Sequence, residues 1–237
     1  MDKKFPSISI YFPMHNEEGN VEIMARTAVE ILKDRAEEYE AIVVNDGSKD
    51  RTGEIADRLA AEDPHIVHIK HEVNRGYGGA VKTGWNSARY ELVFFTDGDN
   101  QFDLHEIDNL LEHVDDYDLV VGYRINRQDP WIRKLNAWAW GTLVRLLFRI
   151  PVRDIDCAFK IFHRKVIDAI KLETEGAMIS TEMLAKAKNL GFTIKEVGVH
   201  HRPREVGEQS GANIRVILRA FKELFKFYRK LKKTQPG

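Results

Sequence analysis

The chain has 237 residues, 43% of them hydrophobic and 31% charged, and its formal net charge is −1. That length accommodates one large α/β domain or two small ones, and the composition is that of an ordinary soluble protein. The single cysteine, Cys157, excludes an internal disulfide and a cysteine-rich zinc site. No apolar run reaches the roughly 18–20 residues that span a bilayer. The amino terminus lacks the apolar stretch of a signal peptide, so we expect a cytoplasmic protein.

The charge is unevenly distributed along the chain. Segment 214–233 carries eight basic residues and one acidic residue, so the remainder has a net charge of −8. This asymmetry predicts a basic tail that contacts an anionic surface. An exposed, solvated helix is the alternative.

The first half alternates strand-like and helix-like segments. Strands are predicted at 8–12, 41–44, 66–69, 91–95 and 118–121, with helices at about 20–35, from about 50, up to about 89, and from about 104. This rhythm predicts an α/β fold with a Rossmann-like, mostly parallel sheet and helices on both faces. Ligands of such sheets bind at the carboxyl ends of the strands.

The second half is less regular. Segment 131–148 is apolar at helical spacing, 156–162 and 195–201 are strand-like, and 180–190 is helix-like. A long amphipathic helix is predicted from about residue 213.

Two aspartates follow the fourth predicted strand. Alternate residues of an extended chain point the same way, so Asp97 and Asp99 can face one point in space. Their mutual repulsion would be relieved by a hard divalent cation, which keeps open positions for diphosphate oxygens. A simple turn, where Asp, Gly and Asn are favoured, is the alternative.

Two more carboxylates follow the first and second strands. Glu17 is placed to accept hydrogen bonds from ribose hydroxyls, with a helix-entry role as the alternative. Asp46 is placed to accept from a nucleobase N–H. For Asp50 we favour capping of the next helix.

A glycine-rich turn at 74–80 leads into the third helix. Glycines such as Gly76 and Gly79 permit close backbone approach, and a helix N-terminus attracts phosphate. A dinucleotide-binding turn would instead follow the first strand, which argues against NAD.

Basic residues beyond the aspartate pair are candidate phosphate contacts. They are Arg124, Arg127, Arg153, Lys160, Arg202 and Arg204. Each is weak evidence by itself, because an exposed arginine usually binds nothing specific.

Together these motifs resemble the family-2 inverting glycosyltransferases with the GT-A fold, and within them the enzymes that make polyprenyl-phosphate sugars, such as dolichyl-phosphate mannose synthases. The matching segments resemble P-x-x-N-E at 13–17, V-N-D-G-S-x-D at 44–50, N-x-G-x-G-G-A at 74–80 and D-x-D-x-Q at 97–101. Residues 154–162 resemble an acceptor-side motif, with Lys160 where that motif has arginine. The Q-x-x-R-W motif of processive synthases is absent, which favours transfer of a single sugar.

The resemblance implies a GT-A glycosyltransferase domain over 1–211 and a basic amphipathic helix and tail over 212–237. It implies that Mg²⁺ or Mn²⁺ is held by Asp97, Asp99 and Gln101. It further implies a UDP- or GDP-sugar bound by the set Pro13, Glu17, Asp46, Gly76 and Gly79.

The implied acceptor is a polyprenyl phosphate, dolichyl or undecaprenyl. A phosphate monoester has a second pKa near 6 and is largely a dianion at neutral pH, so no strong general base is required. Candidate contacts to that phosphate are Arg124, Arg153, Lys160 and Arg204, with Arg124 also counted as catalytic. For a sugar hydroxyl acceptor a carboxylate base would be needed, and Asp156 is the candidate.

The predicted terminal helix places apolar residues at alternating spacings of three and four. They are Ile214, Ile217, Phe221, Leu224, Tyr228 and Leu231. This pattern favours an interfacial helix on the cytoplasmic face of a membrane. Docking on the domain core and a two-helix coiled coil are the alternatives. Trp131, Trp138 and Trp140 offer either lipid contact or core packing.

Two other functions stay open. One is a soluble glycosyltransferase that acts on a sugar or protein hydroxyl, and the other is a non-catalytic nucleotide-sugar or lipid-binding subunit of a membrane complex. We expect a membrane surface as a partner, with a membrane protein or a second copy of the chain as further candidates. We expect no nucleic-acid partner, because no recognisable module accompanies the basic tail.

Overall fold

The computed structural model describes residues 4–125, 131–176, 178–203, 224, 227–229 and 231, with side chains for all of these except 131–139. The strands are β1 (Phe5–Met14), β2 (Ala36–Asn45), β3 (Ile66–Lys70), β4 (Leu92–Thr96), β5 (Leu119–Ile125), β6 (Phe159–His163) and β7 (Ile194–His200). The α-helices are α1 (Val21–Arg35), α2 (Thr52–Glu62), α3 (Tyr77–Ser87), α4 (Ile107–Leu111), α5 (Trp131–Phe148), α6 (Arg164–Ala169) and α7 (Ile179–Asn189). A short 3₁₀ helix, Leu104–Glu106, precedes α4.

The seven strands form one mixed sheet in the order β3-β2-β1-β4-β6-β5-β7. The pairs β1–β2, β1–β4, β2–β3 and β5–β7 are parallel. Strand β6 lies antiparallel between β4 and β5. The predicted mostly parallel α/β sheet flanked by helices is therefore confirmed.

Aromatic side chains fill the centre of the sheet. Every residue of β4 is buried, and Tyr11, Phe12, Phe94 and Phe95 are each 0% exposed. Continuous apolar strands of this kind suit the interior of a parallel sheet, which is covered on both faces. This core holds the carboxyl ends of β1 and β4 in fixed register.

The structure differs from the sequence prediction in two places. Instead of one helix from about residue 104, the chain forms a 3₁₀ turn and the five-residue α4, where the Asp103 carboxylate accepts from His105 N. Helix α6 was not predicted, because six residues are too few to show a helical period.

The described part of the chain terminus packs on the domain core. Leu224 is 0% and Phe227 is 6% exposed, and Tyr228 and Leu231 pack against the same core. The ring of Phe148 lies 5.3 Å from that of Phe227, centre to centre. These residues therefore dock on the domain core, which was the alternative to a membrane-bound helix and a two-helix coiled coil. The rest of predicted segment 212–237 lies outside the described residues.

Of the three tryptophans of α5, the structure describes the side chain of Trp140 alone. Trp140 is partly buried against the core, whereas the side chains of Trp131 and Trp138 lie outside the described set. Over the residues that the structure describes, no helix combines the length and apolar character needed to cross a bilayer.

Candidate active site

The carboxyl ends of β1, β2 and β4 meet at one edge of the sheet. Met14 is in register with Asn45, and Tyr11 with Phe95. A pocket of about 720 Å³ opens at this edge. Six of the predicted site residues line it: Pro13, Glu17, Asp46, Gly76, Asp97 and Asp99.

Asp97 and Asp99 form the acidic end of the pocket. The Tyr77 hydroxyl donates to Asp97 Oδ1 at 2.9 Å, and Gln101 N donates to Asp99 Oδ1 at 3.2 Å. Desolvation and, second, the charge of Asp99 raise the pKa of Asp97 to about 7. Burial and the neighbouring charge therefore both disfavour the ionised form of Asp97. The repulsion between the two carboxylates is the part that the sequence predicted.

The donor chemistry of this pair fits a hard divalent cation. Carboxylate oxygens are the ligands that Mg²⁺ and Mn²⁺ prefer, and a cation would remove the repulsion that raises the pKa of Asp97. The part of the chain that the structure describes contains no cluster of three or more His, Cys, Asp or Glu side chains able to hold a metal. The protein thus offers two carboxylates, and further oxygens would come from a ligand.

Gln101 holds the segment that follows β7. Its Nε2 donates to the carbonyl of Arg202 at 2.8 Å, and Arg202 N donates back to the Gln101 carbonyl at 2.8 Å. The Arg202 guanidinium also binds Asp103 Oδ2 at 2.6 Å. The amide nitrogen of Gln101 is thus occupied, and a metal-binding role for its oxygen stays a prediction.

Glu17 occupies the helix-entry position and also faces the pocket, while its contact with ribose stays a prediction. It is 8% exposed and lines the pocket. Its Oε2 accepts from Asn20 Nδ2 at 2.7 Å at the start of α1, while its backbone N donates to Thr52 Oγ1 at 2.8 Å. Arg51 holds the N-cap position of α2, and Asp50, predicted to cap this helix, accepts from the backbone N of its first residue, Thr52, at 3.0 Å.

Asp46 is buried at the opposite end of the pocket. It is 3% exposed, and its Oδ1 accepts from His71 Nδ1 at 2.6 Å and from Arg75 N at 2.8 Å. Both hydrogen bonds that the Asp46 carboxylate accepts from described residues therefore use the same oxygen, Oδ1. One oxygen of the carboxylate is fixed by the protein in this way, and Oδ2 remains for a ligand.

The glycine turn is shaped by a neighbouring loop as well as by the pocket. Gly76 has φ +80° and lines the pocket. Gly78 N donates to the Glu175 carbonyl at 3.1 Å, and a Cβ at Gly78 would lie 2.5 Å from Glu175 C. Gly79 is buried below the turn, where a Cβ would meet the Arg75 side chain at 2.7 Å. Of the two predicted glycines, Gly76 borders the pocket directly.

Arg124, a predicted acceptor-side residue, forms an ion pair with Asp154. Its Nε and Nη2 donate to Asp154 at 2.7 and 2.8 Å, with both side chains about 15% exposed. Burial acts to lower the pKa of Arg124, but the hydrogen bonds and charge of Asp154 raise it above its ordinary value. Two of its donors are therefore engaged by Asp154, and a contact between Arg124 and the acceptor phosphate stays a prediction.

Lys160 is buried beneath the site. It is 0% exposed, its Nζ donates to the Cys157 carbonyl, and it lies 5.8 Å from the centre of the Phe95 ring. Burial lowers the pKa of Lys160, against the charges of its neighbours. The predicted contact between this amine and an acceptor phosphate stays a prediction, since the amine is buried among the described residues. Lys160 instead places a cation near Asp97, where it lowers the pKa of that carboxyl.

Of the remaining acceptor-side residues, Arg153 and Asp156 are described and exposed. Arg153 stacks on the Tyr123 ring at 4.2 Å, and its Nε lies 3.2 Å from Glu196 Oε2. Asp156 is exposed, and its charge acts on the pKa of both Tyr77 and Arg124. Arg204 and Arg127 lie outside the described residues.

Sequence reasoning missed two side chains of the site: Tyr77, which lines the pocket, and His71, which contacts the pocket residue Asp46. Tyr77 stands inside the glycine motif at the first position of α3. His71 directly follows β3, at the same sheet edge as Asp46. A polar residue immediately after a parallel strand was the available signal in the case of His71.

Solved structures with a similar fold are glycosyltransferases. Glucosyl-3-phosphoglycerate synthase of Mycobacterium tuberculosis, in complex with Mn²⁺ and UDP-glucose, superposes with a TM-score of 0.68 at 18% identity, over 92% of this chain and 79% of that one. The same enzyme with UDP gives a TM-score of 0.68 at 16% identity, over 98% and 82%. The fold of the sheet and its flanking helices is thus GT-A-like.

The chain belongs to glycosyl transferase family 2, whose model matches residues 9–171. It is therefore a glycosyltransferase. Polyprenol monophosphomannose synthase of Mycolicibacterium smegmatis is 31% identical over 221 residues, which are 87% of this chain and 82% of that protein.

Two other relatives are longer than this chain. Glycosyltransferase AglD of Haloferax volcanii is 35% identical over 207 residues, 83% of this chain but 33% of that protein. Undecaprenyl-phosphate 4-deoxy-4-formamido-L-arabinose transferase of Proteus mirabilis is 29% identical over 217 residues, 91% and 66% of the two chains. The chain thus spans from about a third to about two thirds of these two proteins.

Proposed function

We propose that the chain transfers one sugar from a nucleotide-diphosphate sugar to a polyprenyl phosphate, with inversion at the anomeric carbon. The observation that carries this proposal is the convergence of Asp97, Asp99, Glu17 and Asp46 on one pocket. Carboxylates spaced along a single pocket suit a ligand that has a base, a ribose and a diphosphate.

The donor would lie along the pocket from Asp46 to Asp97. Asp46 Oδ2 is oriented to accept from a base N–H, and Glu17 to accept from ribose hydroxyls. Both UDP and GDP offer a ring N–H, so the carboxylate alone does not choose between them. The diphosphate then reaches the aspartate pair beside Gly76.

Asp97 and Asp99 would hold Mg²⁺ or Mn²⁺ against that diphosphate. The bound cation would supply charge neutralisation for the leaving nucleoside diphosphate. Tyr77 keeps Asp97 Oδ1 in place, so that less reorganisation is needed when the charge develops. The Mn²⁺ and UDP-glucose of the similar solved structure support this arrangement.

A polyprenyl phosphate acceptor is supported by relatives named for such lipids. In the transfer, a phosphate oxygen attacks the anomeric carbon while the bond from that carbon to the diphosphate breaks. A single displacement of this kind inverts the configuration. No proton has to be removed from a phosphate dianion, so positioning dominates over base catalysis.

Among the described cations, Arg153 is the exposed candidate for contact with the acceptor phosphate. Its side chain is 69% exposed. Arg204, beyond the described residues, is the second candidate. Arg124 would act by holding Asp154 and the loop that carries Asp156.

The lipid acceptor places the reaction at a membrane surface, and we propose the cytoplasmic face. The basic residues of segment 214–233 would supply electrostatic attraction to anionic lipid. The buried positions of Leu224 and Phe227 assign their side chains to the protein core, so the attraction would come from charge more than from those apolar residues.

The test is a transfer assay with radiolabelled UDP- and GDP-sugars, with polyprenyl phosphate as acceptor, in the presence and absence of a chelator. We expect label in the lipid fraction with one donor, and loss of transfer with the chelator or in Asp97→Asn. Asp156→Asn is the matched carboxylate control and should retain most transfer to phosphate.

Two outcomes would contradict the proposal. Label in a soluble hydroxyl acceptor with none in lipid would establish the alternative enzyme, and Asp156→Asn should then abolish transfer. Nucleotide-sugar binding without transfer to either acceptor would favour a non-catalytic subunit.

A further inference from the structure

His71 and Asp46 form a buried pair, and Asp46 is the member of the pair that lines the pocket. The two side chains are 3% and 4% exposed, and His71 Nδ1 lies 2.6 Å from Asp46 Oδ1. Their positions follow from the sheet, since Asn45 is in register with Lys70 and each side chain belongs to the next residue. His71 N also donates to the Asn45 carbonyl at 2.9 Å.

The other ring nitrogen of His71 reaches α3. His71 Nε2 lies 2.9 Å from Thr83 Oγ1, and Thr83 Oγ1 donates to the Gly79 carbonyl at 3.1 Å. The imidazole therefore connects the Asp46 carboxylate to Thr83 in the second turn of α3, and Thr83 in turn bonds Gly79 in the first turn. No step of the proposed transfer uses His71 directly.

The geometry fixes which atom carries the hydrogen toward Asp46. An ionised carboxylate only accepts hydrogen bonds, so the short contact requires a hydrogen on Nδ1. Arg75 N donates to the same Oδ1 at 2.8 Å. Two donors on one oxygen stop rotation of the carboxylate and leave Oδ2 for a ligand.

We propose that His71 is a positioning residue for the nucleotide base. It locks the Asp46 carboxylate in the orientation that a ring N–H of uracil or guanine requires, and through Thr83 it keeps that carboxylate at a fixed distance from the glycine turn. This inference rests on the proposed function, because it assigns Asp46 to the nucleotide.

The experiment measures binding of UDP and of GDP to the full chain by calorimetry in the presence of Mn²⁺. His71→Leu removes the donor and should weaken binding of the preferred nucleotide about tenfold to a hundredfold, as expected for a hydrogen bond to a charged group. His71→Asn restores a donor near the Nδ1 position and should recover binding to within about threefold of wild type.

His68→Leu is the matched control. His68 lies on β3, three residues before His71, and pairs with Asp57 at 2.7 Å. Asp57 does not line the pocket, whereas Asp46, the partner of His71, does. We expect wild-type nucleotide binding in this variant. In a transfer assay, His71→Leu should raise KM for the donor and leave kcat at saturating donor within about threefold, since a base contact contributes mainly uniform binding.

Each result decides the inference. Wild-type nucleotide affinity in His71→Leu would overturn it and leave the proposed function intact. Equal losses in His71→Leu and His71→Asn, accompanied by equal losses of thermal stability, would show a purely structural role and overturn it as well. If the wild-type chain binds neither UDP nor GDP, the proposed function fails and the inference fails with it. Should His71→Leu not fold, Thr83→Val decides: a fall in nucleotide affinity supports the inference, and unchanged affinity overturns it.

Discussion

The Tyr77 hydroxyl donates a hydrogen bond to Asp97 Oδ1 at 2.9 Å, and this bond ties the start of α3 to the carboxylate pair. Asp97 is thereby oriented before any ligand arrives. The same bond opposes the desolvation and the Asp99 charge that raise the pKa of Asp97. Tyr77 thus favours the ionised form of Asp97, which is the form that binds a cation.

The first prediction concerns Tyr77→Phe. Loss of the hydroxyl should raise the pKa of Asp97 further and weaken Mn²⁺ binding about threefold to tenfold near neutral pH. At higher pH the carboxylates are ionised in both proteins, so the difference should shrink. Calorimetric titration with Mn²⁺ at about pH 7 and about pH 8.5 measures this. Tighter Mn²⁺ binding by the variant would show that the hydroxyl competes with the metal.

The second prediction is a pH dependence of stability. The pKa of Asp97 is about 7 in the folded chain, against an ordinary value of 3.8, so the folded state binds this proton more tightly. In the metal-free protein the free energy of unfolding should therefore fall as pH rises from about 4 to about 7. A cation replaces the proton, so stabilisation by Mn²⁺ should grow through the same window.

Thermal unfolding with and without Mn²⁺, at about pH 6 and about pH 8, measures that effect. Asp97→Asn should flatten the metal-free profile and remove most of the metal effect. A metal effect that is equal at both pH values would exclude proton competition at Asp97.

The sequence was sufficient for the donor half of the fold. Strands β1, β2 and β4 contain apolar runs and are followed within two residues by Asp, Asn or Gly, and both features can be recognised in the local sequence. Because parallel strands place their carboxyl ends together, the convergence of Glu17, Asp46 and Asp97 followed from strand order alone.

Contacts between segments that are distant in the chain could not be predicted from these local patterns. The sequence offered Arg124 as a cation, but its pairing with Asp154 depends on how β5 and the loop before β6 pack. The burial of Lys160 likewise depends on β6 lying antiparallel between β4 and β5. Local patterns predict the strands themselves, whereas the partner of a charged side chain is decided by tertiary packing.

The third prediction concerns the thiol of Cys157. This residue is 0% exposed, and burial, together with the nearby charge of Asp154, raises the pKa of Cys157 to about 12. Because the thiolate is the reactive form, the native protein should not react with a thiol reagent at neutral pH. Titration with a chromogenic disulfide should give no signal in buffer and one thiol in denaturant. Rapid reaction of the native protein would show that the acceptor-side loop opens.

The last prediction uses two glycines in different helices. A Cβ at Gly78 would lie 2.5 to 2.8 Å from backbone atoms of Glu175, and backbone cannot rotate away as a side chain can. Gly78→Ala should therefore lower the free energy of unfolding by about 1–3 kcal/mol, as overpacking does. It should also weaken nucleotide binding, because the displaced turn borders the pocket.

Gly141→Ala is the control for that substitution. Gly141 lies in α5, and a Cβ there meets nothing within 4 Å, so alanine should stabilise the helix by about 0.5–1 kcal/mol. Chemical denaturation of both variants, with UDP affinity measured in parallel, separates the effects. If Gly78→Ala is as stable as wild type, the loop at Glu175 moves to accommodate the side chain, and the predicted steric clash is wrong. Nucleotide binding should then be unchanged as well, because both effects are assigned to the same steric contact.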